Sequence, residues 1–436
     1  MSTPLVSLAA ATAGVAPNVW LILPFALLLL SIAIVPLAAP RFWHRWFHVV
    51  ALGFAAITAG YYLLVLRQPA PLLHVALEYV SFIALIGSLY IVAGGIHIGV
   101  KGQATPGVNC LYLFIGAVLA NVIGTTGASM LLIRPWLRMN KYRVTDFHVV
   151  FFIFIVSNIG GCLTPIGDPP LFLGYLKGVP FWWVAEQCWS PWLFGVSALI
   201  GVFYVVDRRN FHRAPRAIRK LETAHEEWRF TGLHNLAFIA LILAGVFLPV
   251  GWREAAMVVA ALGSWFTTSR AIHEANQFTF FPIKEVAWLF IGIFVTMIPA
   301  LQFLELHAGA FGLSSPAQFY WLTGILSGVL DNAPTYLAFL ATAFGLVHLD
   351  LDNPADMQAF IAAHTPLLRA ISVAAVFFGA MTYIGNGPNF MVKAIAEHQK
   401  VETPSFLRYV VRFSLPILLP ILLVVSLLFF SKWHLF

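Results

Sequence analysis

The chain has 436 residues, of which 60% are hydrophobic and only 10% charged, against about 25% charged in an average soluble domain. Too little polar surface remains to coat a water-soluble globule, which excludes soluble enzymes and soluble binding modules. The net charge of +7 does not indicate a nucleic-acid partner, because the basic residues lie in loops between apolar runs, where membrane topology accounts for them.

Residues 1–17 read as an N-terminal tail without a basic n-region, so no signal peptide is expected there. Ten full spans follow, at about 18–39, 47–66, 81–100, 146–176, 189–206, 235–250, 254–269, 285–303, 367–396 and 409–431. Tryptophans such as Trp20, Trp43, Trp182, Trp252 and Trp288 cluster near span ends, as an interfacial belt requires. Two further apolar stretches, about 108–133 and 316–347, are interrupted by polar tips. The first tip holds Asn121 and Gly124-Thr125-Thr126-Gly127; the second holds Asp331-Asn332-Ala333-Pro334. Each arm has about 10–14 residues and reaches roughly half the bilayer, so both stretches are predicted to be re-entrant hairpins. The three cysteines, Cys110, Cys162 and Cys188, are scattered and show no metal-binding spacing.

With the amino terminus outside and both stretches re-entrant, all but five of the 25 Lys and Arg residues fall on the cytoplasmic side. Both termini are then outside, in a bacterial-type inner (plasma) membrane. If 108–133 crossed fully, Arg134, Arg138, Lys141 and Arg143 would lie outside, where they are disfavoured. The basic loop 207–234 reads as a solvated cytoplasmic connector. It divides the chain into a first repeat, 18–206, and a second, 235–436.

The repeat is legible in two motifs. Residues 163–172 read LTPIGDPPLF and residues 381–390 read MTYIGNGPNF, with Thr164/Thr382, Ile166/Ile384, Gly167/Gly385, Pro170/Pro388 and Phe172/Phe390 identical. Each motif follows one hairpin. Asn121 aligns with Asn332, and Gly87 with Gly292. Each half is three spans, a hairpin, a broken span and a final span. Five spans per half is odd, so the second half is inserted upside down, which is the inverted-repeat architecture of secondary transporters. The predicted fold class is therefore an all-α polytopic membrane protein with two broken helices, and a carrier is expected, not an enzyme. Proline and glycine inside a span free backbone groups that are tolerated only against protein or a water-filled cavity. Broken ends then present amides to anions and carbonyls to cations.

Of 18 carboxylates, only Asp168 and Asp331 fall deep within the predicted membrane segments. Intramembrane charge is costly and usually marks an ion path, although each could also be a helix cap or a hydrogen-bonded structural acid. Oxygen-bearing side chains surround them in sequence: Thr125, Thr126, Asn158, Thr164, Asn332, Thr382, Asn386 and Asn389. Hard alkali cations prefer such ligands. Asn121, Gly167 and Gly385 complete the candidate site, with Asp168 and Asp331 as proton-coupling residues and sodium ligands. No cofactor is expected beyond sodium or protons as coupling ions.

At these motifs the chain resembles the ion-transporter superfamily. The T-P-I-G-D at 164–168 and the L-D-N at 330–332 look closest to NhaD-type sodium/proton antiporters and to a citrate-transporter-like branch. The resemblance implies a homodimer, a static scaffold, a mobile transport domain of hairpins and broken spans, and elevator-like alternating access. Dicarboxylate carriers of this superfamily use paired Ser-Asn-Thr signatures; here Asp168 stands opposite Asn386, and Asp331 beside Asn332. These acids favour sodium (or lithium)/proton antiport as the leading expectation. A sodium- or proton-coupled carrier of citrate, another carboxylate or an oxyanion is the alternative. A remote third reading is an intramembrane aspartyl protease, whose two acids would approach to about 3 Å.

Overall fold

Proline and capping side chains mark where the helices start. Proline lacks an N–H, and its fixed φ suits the first helical turn, where that donor has no partner anyway. It occupies the first turn of eight helices, at Pro40, Pro71, Pro106, Pro169, Pro282, Pro316, Pro354 and Pro388. Thr105, Ser315, Asp331 and Asn353 accept hydrogen bonds from first-turn amides. The computed structural model describes residues 18–100, 104–213 and 229–431. The predicted tail 1–17 and residues 214–228 of the predicted linker lie outside the described residues.

In chain order the helices are α1 (Ile22–Ala38), α2 (Pro40–Gly60), α3 (Ala70–Gly94), α4 (Pro106–Met139), α5 (Asp146–Ile155), α6 (Pro169–Leu176), α7 (Phe181–Arg213) and α8 (Asn235–Gly245). Then come α9 (Trp252–Thr267), α10 (Arg270–Ala275), α11 (Phe281–Leu306), α12 (Pro316–Val329), α13 (Asn332–Leu346), α14 (Pro354–Phe378), α15 (Gly387–His398) and α16 (Phe406–Phe429). A short antiparallel ribbon pairs β1 (His97–Gly99) with β2 (Arg229–Thr231), and no sequence signal foretold it. The architecture is otherwise all-α and polytopic, as expected.

The helix α4 is not one long span. Gly124 has φ 73° and ψ 155°, an extended left-handed conformation that glycine alone adopts readily. The arms on either side fold back on each other. The Tyr112 hydroxyl donates to the Leu132 carbonyl at 2.9 Å, and Asn109 donates to Asn140 at 2.8 Å. Residues 20 apart on a straight helix would be about 30 Å apart, so these contacts require a hairpin. The second hairpin is formed by α12 and α13, which turn at Leu330–Asp331 and pack Phe319 against Phe339.

Two helical bodies result. In one, α11 packs on α1, α2 and α3, while α9 packs on α3 and α8. In the other, the hairpins pack with the broken spans α5/α6 and α14/α15 and with α7 and α16. The bodies meet where α3 packs on α4 and, by the pseudo-symmetric contact, α11 packs on α13. The third span of each repeat thus lies against its own hairpin.

Several spans run past their predicted ends. The third begins at Ala70, not near 81, and the fifth covers Phe181–Arg213, not 189–206. Charges misled the sequence reading at both places. Glu78 is paired with Lys177, and Asp207 with Arg143, so neither ends its helix.

The ion pairs also sort the loops by face. Arg143 with Asp207, Arg408 with Asp146, and the β1–β2 ribbon gather on the face rich in basic residues. Lys177, Glu78 and Asp352 meet on the opposite face. In a background without Cys110, Cys162 and Cys188, cysteines at Arg138 and Arg229 are therefore expected to react with an impermeant maleimide from one side. A cysteine at Gln358 is expected to react only from the other. Labelling of positions 138 and 229 from opposite sides would refute the re-entrant hairpin.

Candidate functional site

Both broken spans are built by the same local rules. α5 stops at Ile155, the chain crosses an irregular stretch through Gly160, Gly161 and Gly167, and α6 starts at Pro169. α14 stops at Phe378, the chain passes Gly379 and Gly385, and α15 starts at Gly387. The residue before each new helix is extended: Asp168 at φ −144°, ψ 145°, and Asn386 at φ −155°, ψ 137°. In both breaks a threonine ties the loop to a hairpin. Thr164 Oγ1 donates to the Asn121 carbonyl at 2.6 Å, and Thr382 Oγ1 donates to the Gly328 carbonyl at 2.7 Å. The same threonines accept from the Gly167 and Gly385 amides at 3.1 and 3.2 Å.

These matched bonds revise one alignment. Asn121 corresponds to Gly328, not to Asn332, and Asn332 corresponds to Thr125 at the start of the other hairpin's second arm. The chain between tip and break differs in length, with 43 residues from Asn121 to Thr164 and 54 from Gly328 to Thr382, so one register cannot align both the tips and the breaks.

The two tips and two breaks converge on Asp168, which is buried. Its Oδ1 accepts from Thr125 Oγ1 at 2.7 Å and from Asn386 Nδ2 at 2.9 Å. Its Oδ2 accepts from Asn332 Nδ2 at 2.6 Å. The three donors are neutral, and among the described residues no lysine or arginine pairs with this carboxylate. Asn332 opens α13 and Asn386 precedes α15, so the positive ends of these helices also point to this centre. The remaining Asn332 atom, Oδ1, is buried and has no hydrogen-bond partner among the described residues.

Around this centre lies a layer of braces. Asn386 also donates to the Ser157 carbonyl and to Asn158 Oδ1. Asn158 donates to Asn389 Oδ1 at 2.7 Å, and Asn389 donates to the Gly379 and Thr382 carbonyls. Asn121 donates to Ala117 and Gly160 carbonyls and accepts from the Leu163 amide, so its side chain is spent on holding the first break. Gly167 and Gly385 permit close backbone approach. A Cβ on Gly167 would overlap the Gly161 carbonyl, and one on Gly385 would stand 2.7 Å from the Gly379 and Ser327 oxygens. The sequence reading did not single out Ser157, Gly161 or Gly379, whose roles are carried by backbone atoms.

Asp331 stands apart. Its Oδ1 accepts from the Ala333 amide at 3.0 Å and caps α13, and it is only partly buried. Among the described residues no hydrogen bond joins Asp168 to Asp331, so the geometry is not that of a shared-proton dyad. Beside Asp168 is a cavity of about 20 Å³, lined by Leu89, Gly124, Thr126, Pro165, Gly167 and Phe172 among others. A single water needs about 10–15 Å³, so this space holds one water or one small ion.

A family model described as "Putative citrate transport" matches residues 14–430, nearly the whole chain. The chain belongs to this citrate-transport family. A search of curated proteins finds no match. Membership agrees with the inverted repeat, the hairpins and the broken helices: this member of the citrate-transport family is a multi-pass membrane protein and a secondary transporter.

Proposed function

We propose that this transporter exchanges sodium or lithium for protons at Asp168. It would do so by elevator-like alternating access, as a homodimer in a bacterial-type inner membrane with both termini outside. The observation that carries this reading is how the donors are used. Thr125, Asn332 and Asn386 are the groups that could hold a carboxylate substrate, and all three are already bound to the protein's own Asp168. What Asp168 lacks is a positive partner. An ionised carboxylate buried with neutral donors alone is costly, and a bound cation or a proton relieves that cost.

Asn332 Oδ1 offers a further oxygen ligand, and the small cavity suits an ion better than a tricarboxylate. A cation and a proton then compete for one negative site. Binding one releases the other, and that competition is the coupling.

The second reading is a cation-coupled carrier of citrate or a related carboxylate, favoured by the description of the family. Here Asp168 would serve the coupling cation, and the anion would be held by helix ends uncovered when the bodies move. Purified protein in proteoliposomes separates the two. Sodium or lithium gradients alone are expected to drive proton movement, and potassium is not. Proton movement that appears only when citrate is supplied would overturn the antiport reading in favour of the symporter.

A further inference from the structure

A buried ion pair joins the two bodies outside the ion site. Lys177 follows α6 in the hairpin body, and Glu78 lies on α3 in the other. Lys177 Nζ stands 2.8 Å from Glu78 Oε1 and 2.6 Å from Asp352 Oδ1. His74 Nε2 lies 3.3 Å from the same Glu78 oxygen and 3.8 Å from Asp352 Oδ1. The ammonium thus occupies the point between the carboxylates that a cation would take. Burial alone would lower the Lys177 pKa, but Glu78 and Asp352 more than offset this and raise it, so Lys177 stays charged. A neighbouring clasp is supplied by the Leu351 amide, which donates to Glu305 of α11 at 3.1 Å.

Glu78 lies eight residues into α3, about 12 Å below the start of that helix. Lys177, in contrast, sits at the very end of the hairpin body's α6. The pair therefore bridges the seam between the bodies at its basic-poor end, beside the half-exposed Asp352 and His74 and away from the basic-rich face. On that face a larger cavity of about 410 Å³ opens between the bodies. It is lined by Ala33 and Leu37 of α1, Val329 at the second tip, Thr382 and Ile384 of the second break, and Phe406.

We infer that Lys177 and Glu78 form a latch between the two bodies that closes the basic-poor face, and that it must open once in each transport cycle. The inference rests on the alternating-access part of the proposed function, but not on which ion is carried. A latch of this kind sets how often the site faces the basic-poor side. Neutralising either partner releases the hairpin body. Asp352 sits with Lys177 at the end of the hairpin body, so its loss alone releases the body less.

The test uses the full-length protein without native thiols, with a single reporter cysteine at Thr126 in the cavity beside Asp168. An impermeant maleimide is added from the basic-poor side, with no substrate present. Lys177→Gln and Glu78→Gln are each expected to raise the labelling rate roughly tenfold, equivalent to about 1.4 kcal/mol. Asp352→Asn is expected to raise it less. The charge-swapped pair Lys177→Glu with Glu78→Lys is expected to return the rate toward that of the unswapped protein. Should Lys177→Gln fail to fold, Glu78→Gln and the swapped pair carry the test. Unchanged labelling in the folded single variants, or a swapped pair as fast as the faster single variant, would overturn the latch. Because labelling needs no transported ion, failure of sodium/proton exchange leaves this result interpretable.

Discussion

Asp168→Asn is expected to reduce cation-driven proton movement to the level of empty vesicles while the protein remains folded in the membrane. Asparagine keeps the size and one oxygen but cannot titrate or carry charge. Two of the present donors to Asp168 are amide NH2 groups, and a third is a hydroxyl. A neutral amide at 168 still accepts from them in part, so the packing survives while the charge that attracts a cation is gone. Asp168→Glu is expected to be milder, because the charge persists and only its reach changes. Asp331 makes the comparison sharper. It caps α13 through the Ala333 amide, and asparagine is as good a cap as aspartate. Asp331→Asn is therefore expected to keep exchange with, at most, a raised sodium requirement. Equal loss in both variants would make Asp331 a direct partner in coupling. Full exchange by Asp168→Asn, read as dye-reported proton flux at matched protein content, would remove the mechanism proposed here.

The second large effect is expected at the breaks. Gly167→Val places a branched side chain where even a Cβ overlaps the Gly161 carbonyl, with Asn121 Oδ1 3.1 Å away on another side. Backbone on one side and a hydrogen-bonded side chain on the other leave no cheap adjustment. Overpacking of this kind costs about 3 kcal/mol. Gly385→Val meets the Gly379 and Ser327 oxygens at 2.7 Å and is expected to be damaging but less so. Gly107→Val is the control: nothing lies within 4 Å of the position a Cβ would take there. Thermal stability of detergent-solubilised protein and flux in vesicles should both rank Gly107→Val, Gly385→Val and Gly167→Val in order of increasing damage. Normal flux in both break variants at normal expression would reduce the breaks to packing features.

The first break holds an acid where the second holds an amide, at positions with nearly the same backbone angles. Local geometry is thus shared, while chemistry is not. The asymmetry puts the charge on one side of the pseudo-two-fold and the supporting donor on the other.

What the sequence determined by itself was whatever is written locally along the chain. Run lengths of apolar residues placed the spans, because a helix must cover the bilayer core with its own residues. Gly and Pro inside apolar runs placed the hairpin tips and the breaks, because they disturb the backbone at their own positions. The rarity of charge in those runs picked out Asp168. The tertiary structure alone decided which side chains meet. Asn332 reaches Asp168 across 164 residues and Asn386 across 218, and no periodicity encodes such a partner. For the same reason, the alignment of Asn121 with Asn332 failed. Both are asparagines near a tip, but one braces a break with its side chain and the other binds the carboxylate. Asp331 looked equal to Asp168 in sequence because depth in a span is legible there and hydrogen-bond partners are not. Glu78 and Lys177 likewise carry no sign of their pairing along the chain. An ion pair between two bodies exists only once the chain has brought α3 and the end of α6 side by side.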